Sequence, residues 1–130
     1  ILTGSEGTLA FITEARLDIT PLPKVRRLVN VKYDSFDSAL RNAPFMVEAR
    51  ALSVETVDSK VLNLAREDIV WHSVSDLITD VPDKEMLGLN IVEFAGDDET
   101  LIDERVNALC ARLDELIASQ QAGVIGWQVC

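Results

Sequence analysis

The sequence is poor in the residues that build disulfide scaffolds, metal sites and nucleophilic active sites. Its 130 residues include two cysteines and one histidine. Two cysteines are too few for a disulfide-rich framework, and a lone histidine without a His/Cys/Asp cluster does not make a metal site. No Ser/His/Asp or Cys/His arrangement is present for nucleophilic catalysis. We therefore predict no metal ligand and no catalytic residue within these 130 residues.

Positive charge and long apolar runs are also scarce. Twelve Lys and Arg stand against 22 Asp and Glu, which gives a net charge of −10. Nucleic acids and anionic membranes bind basic surfaces, so this balance argues against both as partners. No apolar run reaches the roughly 20 residues of a transmembrane helix, and no signal peptide is recognisable. We therefore predict a cytoplasmic protein without a transmembrane segment.

What the sequence does contain is enough apolar residues, 48% of the total, to form the core of one domain. It begins without Met in the strand-like Ile1-Leu2-Thr3, and it stops inside the apolar run 124–130. These two ends predict that the chain is a piece of a larger protein.

A glycine-rich turn opens the chain. Residues 4–8, Gly-Ser-Glu-Gly-Thr, lead directly into an alternating apolar run that predicts a strand over 9–19. Glycine lets backbone N–H groups approach a ligand closely, and successive N–H groups in such a turn can bind an anion. An ordinary tight turn before a strand explains the same residues.

Residues 20–23, Thr-Pro-Leu-Pro, interrupt regular structure because proline cannot donate a ladder hydrogen bond. We therefore predict a domain boundary that separates 1–23 from 24–130. After the boundary, period-two and helical patterns alternate in the order β-α-β, a helical insert over about 60–85, then β-α-β. The predicted strands cover 27–33, 51–57, 87–94 and 124–129.

Acidic and hydroxyl residues stand where helix caps are needed between these strands. The cap is Asp34 or Ser35 for the first helix and Asp58 or Ser59 for the second, and Asp97 or Asp98 caps the long last helix. Pro44 is expected to bend or end the first helix. The element order predicts an α+β, ferredoxin-like βαββαβ domain whose antiparallel sheet carries helices on one face.

Three strings give the chain a family resemblance. TGSEGTLAFITEARLDITPLP (3–23) is similar to the end of the FAD-binding domain in the VAO/PCMH superfamily of flavoproteins, although Ala10 and Phe11 replace the usual Gly and Val or Ile. SVETVD (53–58) and NIVEFAGDDE (90–99) resemble the substrate-capping, C-terminal domain of the FAD-linked oxidases. The closest branch is the FAD-dependent D-2-hydroxyacid dehydrogenases, in particular long bacterial enzymes that also carry iron–sulfur motifs downstream.

The resemblance implies a fold, a cofactor and a reaction. Residues 1–23 would end an FAD-binding domain, with its last strand, and 24–130 would begin the capping domain. The parent protein would oxidise a D-2-hydroxyacid, such as D-2-hydroxyglutarate or D-lactate, with hydride transfer to FAD. The family's substrate arginine and metal-binding histidines would lie beyond residue 130. The cofactor-binding residues implied are Gly4, Ser5, Glu6, Gly7, Thr8 and, through its backbone, Ile12.

Several assignments stay open from the sequence alone. Glu6 either binds a ligand hydroxyl or caps the turn, and Ile12 is also explained as a core strand residue. Glu55 either points toward the flavin cleft and the substrate or is a solvated strand residue. Two other functions remain alternatives because this fold serves many roles. One is a small-molecule-binding module, and the other is an oligomerisation module that forms a homo-oligomer through the sheet face.

For the other polar and aromatic residues we favour structural roles. We expect Glu93 to be a partnered or edge carboxylate and Cys110 to lie in the core. We expect no functional role for His72, because no cluster of possible metal ligands surrounds it in the sequence. The acidic run 97–104 is expected to form a solvated helix start. Trp71 and Trp127 are expected to pack.

Overall fold

A computed structural model describes all of residues 1–130. It contains four strands, four α-helices and a short 3-10 turn at Ser75–Leu77. The strands are β1 (Val25–Tyr33), β2 (Ser53–Asp58), β3 (Gly88–Gly96) and β4 (Val124–Val129). The helices are α1 (Phe36–Glu48), α2 (Ser59–Glu67), α3 (Trp71–Val74) and α4 (Glu99–Ala118).

The four strands form one antiparallel sheet in the order β2-β3-β1-β4. The central pair β1 and β3 is in register along its whole length, with Val29 opposite Val92 and Val31 opposite Asn90. Helices α1 and α4 each connect an edge strand to a central one. This is the ferredoxin-like arrangement, so the predicted fold class is confirmed. Each of the four strands predicted after residue 23 overlaps an observed one, with ends that differ by at most two residues.

The main core lies between the sheet and helices α1 and α4. Apolar residues that recur at helical spacing along α4 pack on the inward side chains of β1 and β3, as an amphipathic helix requires. Cys110 is among the buried residues, as predicted, and Trp127 packs against this core while its Nε1 donates to Asp114 over 2.8 Å. The core residues of the helices are Ala39, Met46, Ile102, Val106, Leu109, Cys110, Leu113 and Leu116.

Helices α1, α2 and α4 begin at capping residues that the sequence predicted. The caps are Ser35, Asp58 and Asp98, whose side chains accept from the backbone N–H three residues later. Pro44 does not end α1, because the helix continues to Glu48.

The insert, residues 59–87, lies against the face of the sheet that is turned away from α1 and α4, called here the second face. Leu62, Met86 and Leu89 form a small buried cluster there, with Trp71 and Ile78 partly buried around them. As predicted, the insert contains short helical turns and loops, and Trp71 packs. The sequence did not indicate which side of the sheet the insert covers.

The strand predicted over 9–19 is absent, and so is the last strand of an FAD-binding domain that it was expected to supply. Residues 1–24 contain no helix or strand. The apolar side chains of the predicted strand face solvent, with Phe11 fully exposed and Ile12 73% exposed. A strand needs a hydrogen-bonded neighbour, and no strand of this sheet pairs with the segment.

Asn90 is the polar centre of the main core. It is fully buried on β3, where its Nδ2 donates to the Ala39 carbonyl over 2.9 Å and to the Tyr33 hydroxyl over 3.2 Å. Its Oδ1 accepts from the Thr56 hydroxyl over 2.8 Å. One side chain therefore links β3 to β1, β2 and α1. Burial raises the pKa of Tyr33 well above its usual range, so its hydroxyl stays protonated.

We predict that Asn90→Ala lowers the free energy of unfolding by about 3 kcal/mol, because the Tyr33 hydroxyl, the Ala39 carbonyl and the half-buried Thr56 hydroxyl each lose a hydrogen bond. Urea denaturation of the chain measures the change. Asn63→Ala, at an exposed position on α2 without side-chain hydrogen bonds, is the matched control and is expected to change stability by less than about 0.5 kcal/mol. An Asn90→Ala loss below about 1 kcal/mol would contradict this role.

Candidate functional site

The N-terminal glycine-rich segment forms a tight turn over residues 5–8. The Thr8 amide donates to the Ser5 carbonyl over 3.0 Å. The two central residues, Glu6 and Gly7, have φ angles of 48° and 81°. Positive φ at both central positions is typical of a type I′ turn, and glycine adopts it without a steric penalty.

The turn leaves donors free on an open surface. The backbone N–H groups of Gly4, Glu6 and Gly7 donate no hydrogen bond within the chain. A Cβ placed on Gly4 or Gly7 would meet no atom within 4 Å, so a ligand can approach the backbone there. Free N–H groups on such a turn suit an anion, and the pyrophosphate of FAD is a group of that chemistry.

The hydroxyls of the turn are used differently. Ser5 Oγ donates to the Leu2 carbonyl over 2.8 Å, and Thr8 Oγ1 donates to the Ser5 carbonyl over 2.7 Å. These bonds fix the shape of the turn and leave the hydroxyl oxygens able to accept. The carboxylate of Glu6 makes no hydrogen bond within the chain, so it does not cap the turn. Ile12 is exposed and is not a core residue of this chain.

Glu55 lies on the second face of the sheet. It pairs with Ile91 across β2 and β3, and Ile91 packs on the cluster formed by the insert. The Glu55 side chain is exposed and makes no hydrogen bond or ion pair. It is therefore an unpartnered carboxylate beside an apolar surface that the insert covers incompletely. No hydrogen bond or ion pair joins it to residues 4–8, so the chain does not bring the two candidate sites into contact.

Glu93 lies on the same face, two residues beyond Ile91 on β3. Ser53 Oγ donates to its Oε2 over 3.2 Å, and its Oε1 lies 3.7 Å from Arg26 Nε. Of the two alternatives expected for Glu93, a partnered or an edge carboxylate, the first is confirmed.

The other polar residues singled out by the sequence carry no site. His72 is exposed, and no group of three or more His, Cys, Asp or Glu is placed to hold a metal ion. In the acidic run, Asp98 caps α4, while Glu99 and Asp103 pair with Arg27 at 2.8 and 3.1 Å. The run is therefore a helix start, as predicted, and two of its carboxylates form ion pairs with Arg27.

Sequence reasoning missed a polar cluster under the insert. Lys32 is 2% exposed, and its Nζ contacts only neutral oxygens, Thr79 Oγ1 at 3.0 Å and Gln128 Oε1 at 3.5 Å. Burial lowers the pKa of Lys32 from its ordinary value, while the charge of Asp80 opposes that shift. Beside it Asn30 is also buried, and its Oδ1 has no partner.

A signal for this cluster was present in the sequence. Asn30 and Lys32 alternate with apolar residues on β1, which is a central strand in the ferredoxin-like order. Because a central strand has neighbours on both sides, polar side chains on its second face become buried once a further layer covers them. A cation without a carboxylate partner in such a place is costly and is more common at functional positions than elsewhere.

No helix of the chain is both long and apolar enough to cross a membrane. Residues 22–126 match the family model described as FAD linked oxidases, C-terminal domain. The chain is 96% identical over all 130 residues to a protein of Escherichia coli named D-2-hydroxyglutarate dehydrogenase, and 78% identical over 130 residues to one of the same name in Pantoea ananatis.

A protein of that name in Pseudomonas putida is 44% identical over 123 residues, which is 95% of this chain and 12% of that protein. The chain spans 13% of the length of the Escherichia coli and Pantoea ananatis relatives. Each of these two matches covers the whole of this chain. Since the family model matches residues 22–126, which are most of the chain, the chain belongs to the family described as FAD linked oxidases, C-terminal domain.

Proposed function

We propose that the protein containing this chain is an FAD-dependent dehydrogenase that oxidises D-2-hydroxyglutarate to the corresponding 2-oxoacid. The observation that carries the proposal is 96% identity, across every residue of the chain, to a protein named D-2-hydroxyglutarate dehydrogenase. D-lactate is the second candidate substrate. FAD, when bound, accepts the hydride from the α-carbon of the substrate, and the chain supplies binding surfaces to that reaction.

In this proposal the two parts of the chain have different tasks. Residues 1–23 belong to the FAD-binding domain, and 24–130 form the first part of the substrate-capping domain. The start of the first strand at Val25 and the lack of regular structure before it support this division. The exposed apolar side chains of 9–19 would then be buried against strands of the FAD-binding domain.

The turn at 4–8 binds FAD through its backbone. Its free N–H groups, the positive φ of Gly7 and the open space around both glycines support this role. Ser5, Thr8 and Glu6 would line the cofactor, and Ile12 would contribute its backbone next to the adenine. None of these residues takes part in proton or hydride transfer.

Glu55 faces the substrate in this proposal. Its carboxylate is exposed on the second face of the sheet, away from the helices and without a partner in the chain. A carboxylate there can accept a hydrogen bond from the substrate hydroxyl and thereby orient it.

Three features of the whole protein remain predictions from the sequence. They are a cytoplasmic location, assembly as a homo-oligomer, and an iron–sulfur cluster outside these 130 residues. Absorption and iron analysis of the purified full-length protein, together with its mass in solution, test the last two.

We predict that the full-length protein shows an oxidised flavin absorption band, and that D-2-hydroxyglutarate bleaches this band when oxygen is absent. D-lactate added to a separate sample is expected to bleach it more slowly or not at all. A preparation without a flavin band, even after FAD is supplied, would refute the proposal. Faster bleaching by D-lactate would keep the dehydrogenase and change its substrate.

We predict that Gly7→Ala in the full-length protein weakens FAD retention about tenfold. The added methyl strains a backbone with φ of 81° and shifts the free N–H groups. Asn63→Ala, at an exposed position on α2 outside the turn, is the control. Equilibrium dialysis against FAD measures both, and equal retention in the two variants would exclude the proposed role of the turn.

We predict that Glu55→Gln raises KM for D-2-hydroxyglutarate roughly tenfold and leaves the melting temperature unchanged, since the side chain is exposed and unpaired. Glu67→Gln, also exposed and at the end of α2, is the matched control. Steady-state kinetics and a thermal melt of each variant provide the two readouts. An unchanged KM would make Glu55 a solvated strand residue.

A further inference from the structure

A groove lies on the outer side of the helical layer, between the end of α1 and the middle of α4. Its volume is about 320 Å³. Phe45, Ala49 and Leu109 form an apolar floor, and Arg50, Arg105 and Arg112 surround it. None of these residues belongs to the turn at 4–8 or to the second face of the sheet.

The groove concentrates positive charge on an acidic chain. The side chains of Arg50 and Arg105 make no hydrogen bond or ion pair within the chain, while Arg112 pairs with Glu115 on its own helix. The groove has a single carboxylate in its lining, Glu48, and Arg112 is already ion-paired, so Arg50 and Arg105 are the two lining cations without a partner. The whole chain carries −10. This local reversal of sign selects for an anion.

Arg50 occupies a backbone position that favours glycine. It follows the C-terminal end of α1 with φ of 63°, and its amide donates to the Val47 carbonyl over 2.9 Å. The next amide, of Ala51, reaches back to the Met46 carbonyl over 3.5 Å. Glycine is the usual residue at this left-handed helix terminus because it has no Cβ to strain. An arginine here strains the backbone and places its guanidinium at the groove.

We propose that this groove binds a small organic dianion, an apolar body that carries two carboxylates or one phosphate. Guanidinium groups bind both through paired, charge-assisted hydrogen bonds, and the two unpaired guanidinium groups of Arg50 and Arg105 match the two charges of a dianion. The apolar floor accommodates the body. The volume suits a compact ligand, since small-molecule sites start at about 300 Å³.

Isothermal titration of the full-length protein tests the proposal, with phthalate as the dicarboxylate probe and phenyl phosphate as the phosphate probe. We expect at least one probe to bind, and Arg105→Gln to weaken that binding about tenfold. Arg50→Gly is expected to weaken it similarly while raising the midpoint of thermal unfolding, because glycine relieves the backbone strain. A purely structural role for Arg50 would not produce opposite changes in binding and stability.

Arg41→Gln is the matched control. Arg41 lies on α1 outside the groove and pairs with Asp37 over 2.6 Å, so its loss changes the net charge without touching the site. The proposal is overturned if neither probe binds, if binding survives both groove substitutions, or if Arg41→Gln weakens it equally. The relative affinity of the two probes identifies the acidic group preferred. The readout needs no turnover or bound FAD, so its outcome is independent of the dehydrogenase proposal.

Discussion

The fold depends on one buried amide that connects elements far apart in the chain. The fully buried Asn90 side chain hydrogen-bonds to the Tyr33 hydroxyl, the Ala39 carbonyl and the half-buried Thr56 hydroxyl. A buried polar group must find partners or destabilise the structure. A register shift by one residue would turn Asn90 to the opposite face and leave all three groups unpaired. Apolar packing supplies the driving force for folding, and this amide selects one register.

The two faces of the sheet have different roles. The first is closed by α1 and α4 around a dry, well-packed core. The second combines a small apolar cluster, a buried lysine that contacts only neutral oxygens, and an exposed carboxylate, Glu55. The one buried charged side chain, Lys32, lies on the second face, and no charged side chain is buried on the first. The proposed ligand contacts therefore lie on surfaces other than the first face, which holds the main core.

Much of the fold could be predicted from local patterns. The alternation in β1 and β3, the caps at Ser35, Asp58 and Asp98, and the apolar stripe of α4 all rest on interactions between residues close in sequence. The segment 9–19 has an equally clear alternation and forms no strand. Alternation describes which side chains would share a face, but a strand also needs a neighbour, and this chain provides none.

The sequence by itself determined the order of elements, the family and the glycine turn, because each is written in consecutive residues. Only the tertiary structure decided that the insert covers the second face, that Lys32 and Asn30 are buried beneath it, and that three arginines from α4 and the end of α1 meet at one groove. The physical reason is distance along the chain: Lys32 and Thr79, or Arg50 and Arg105, become neighbours only after the sheet and helices pack.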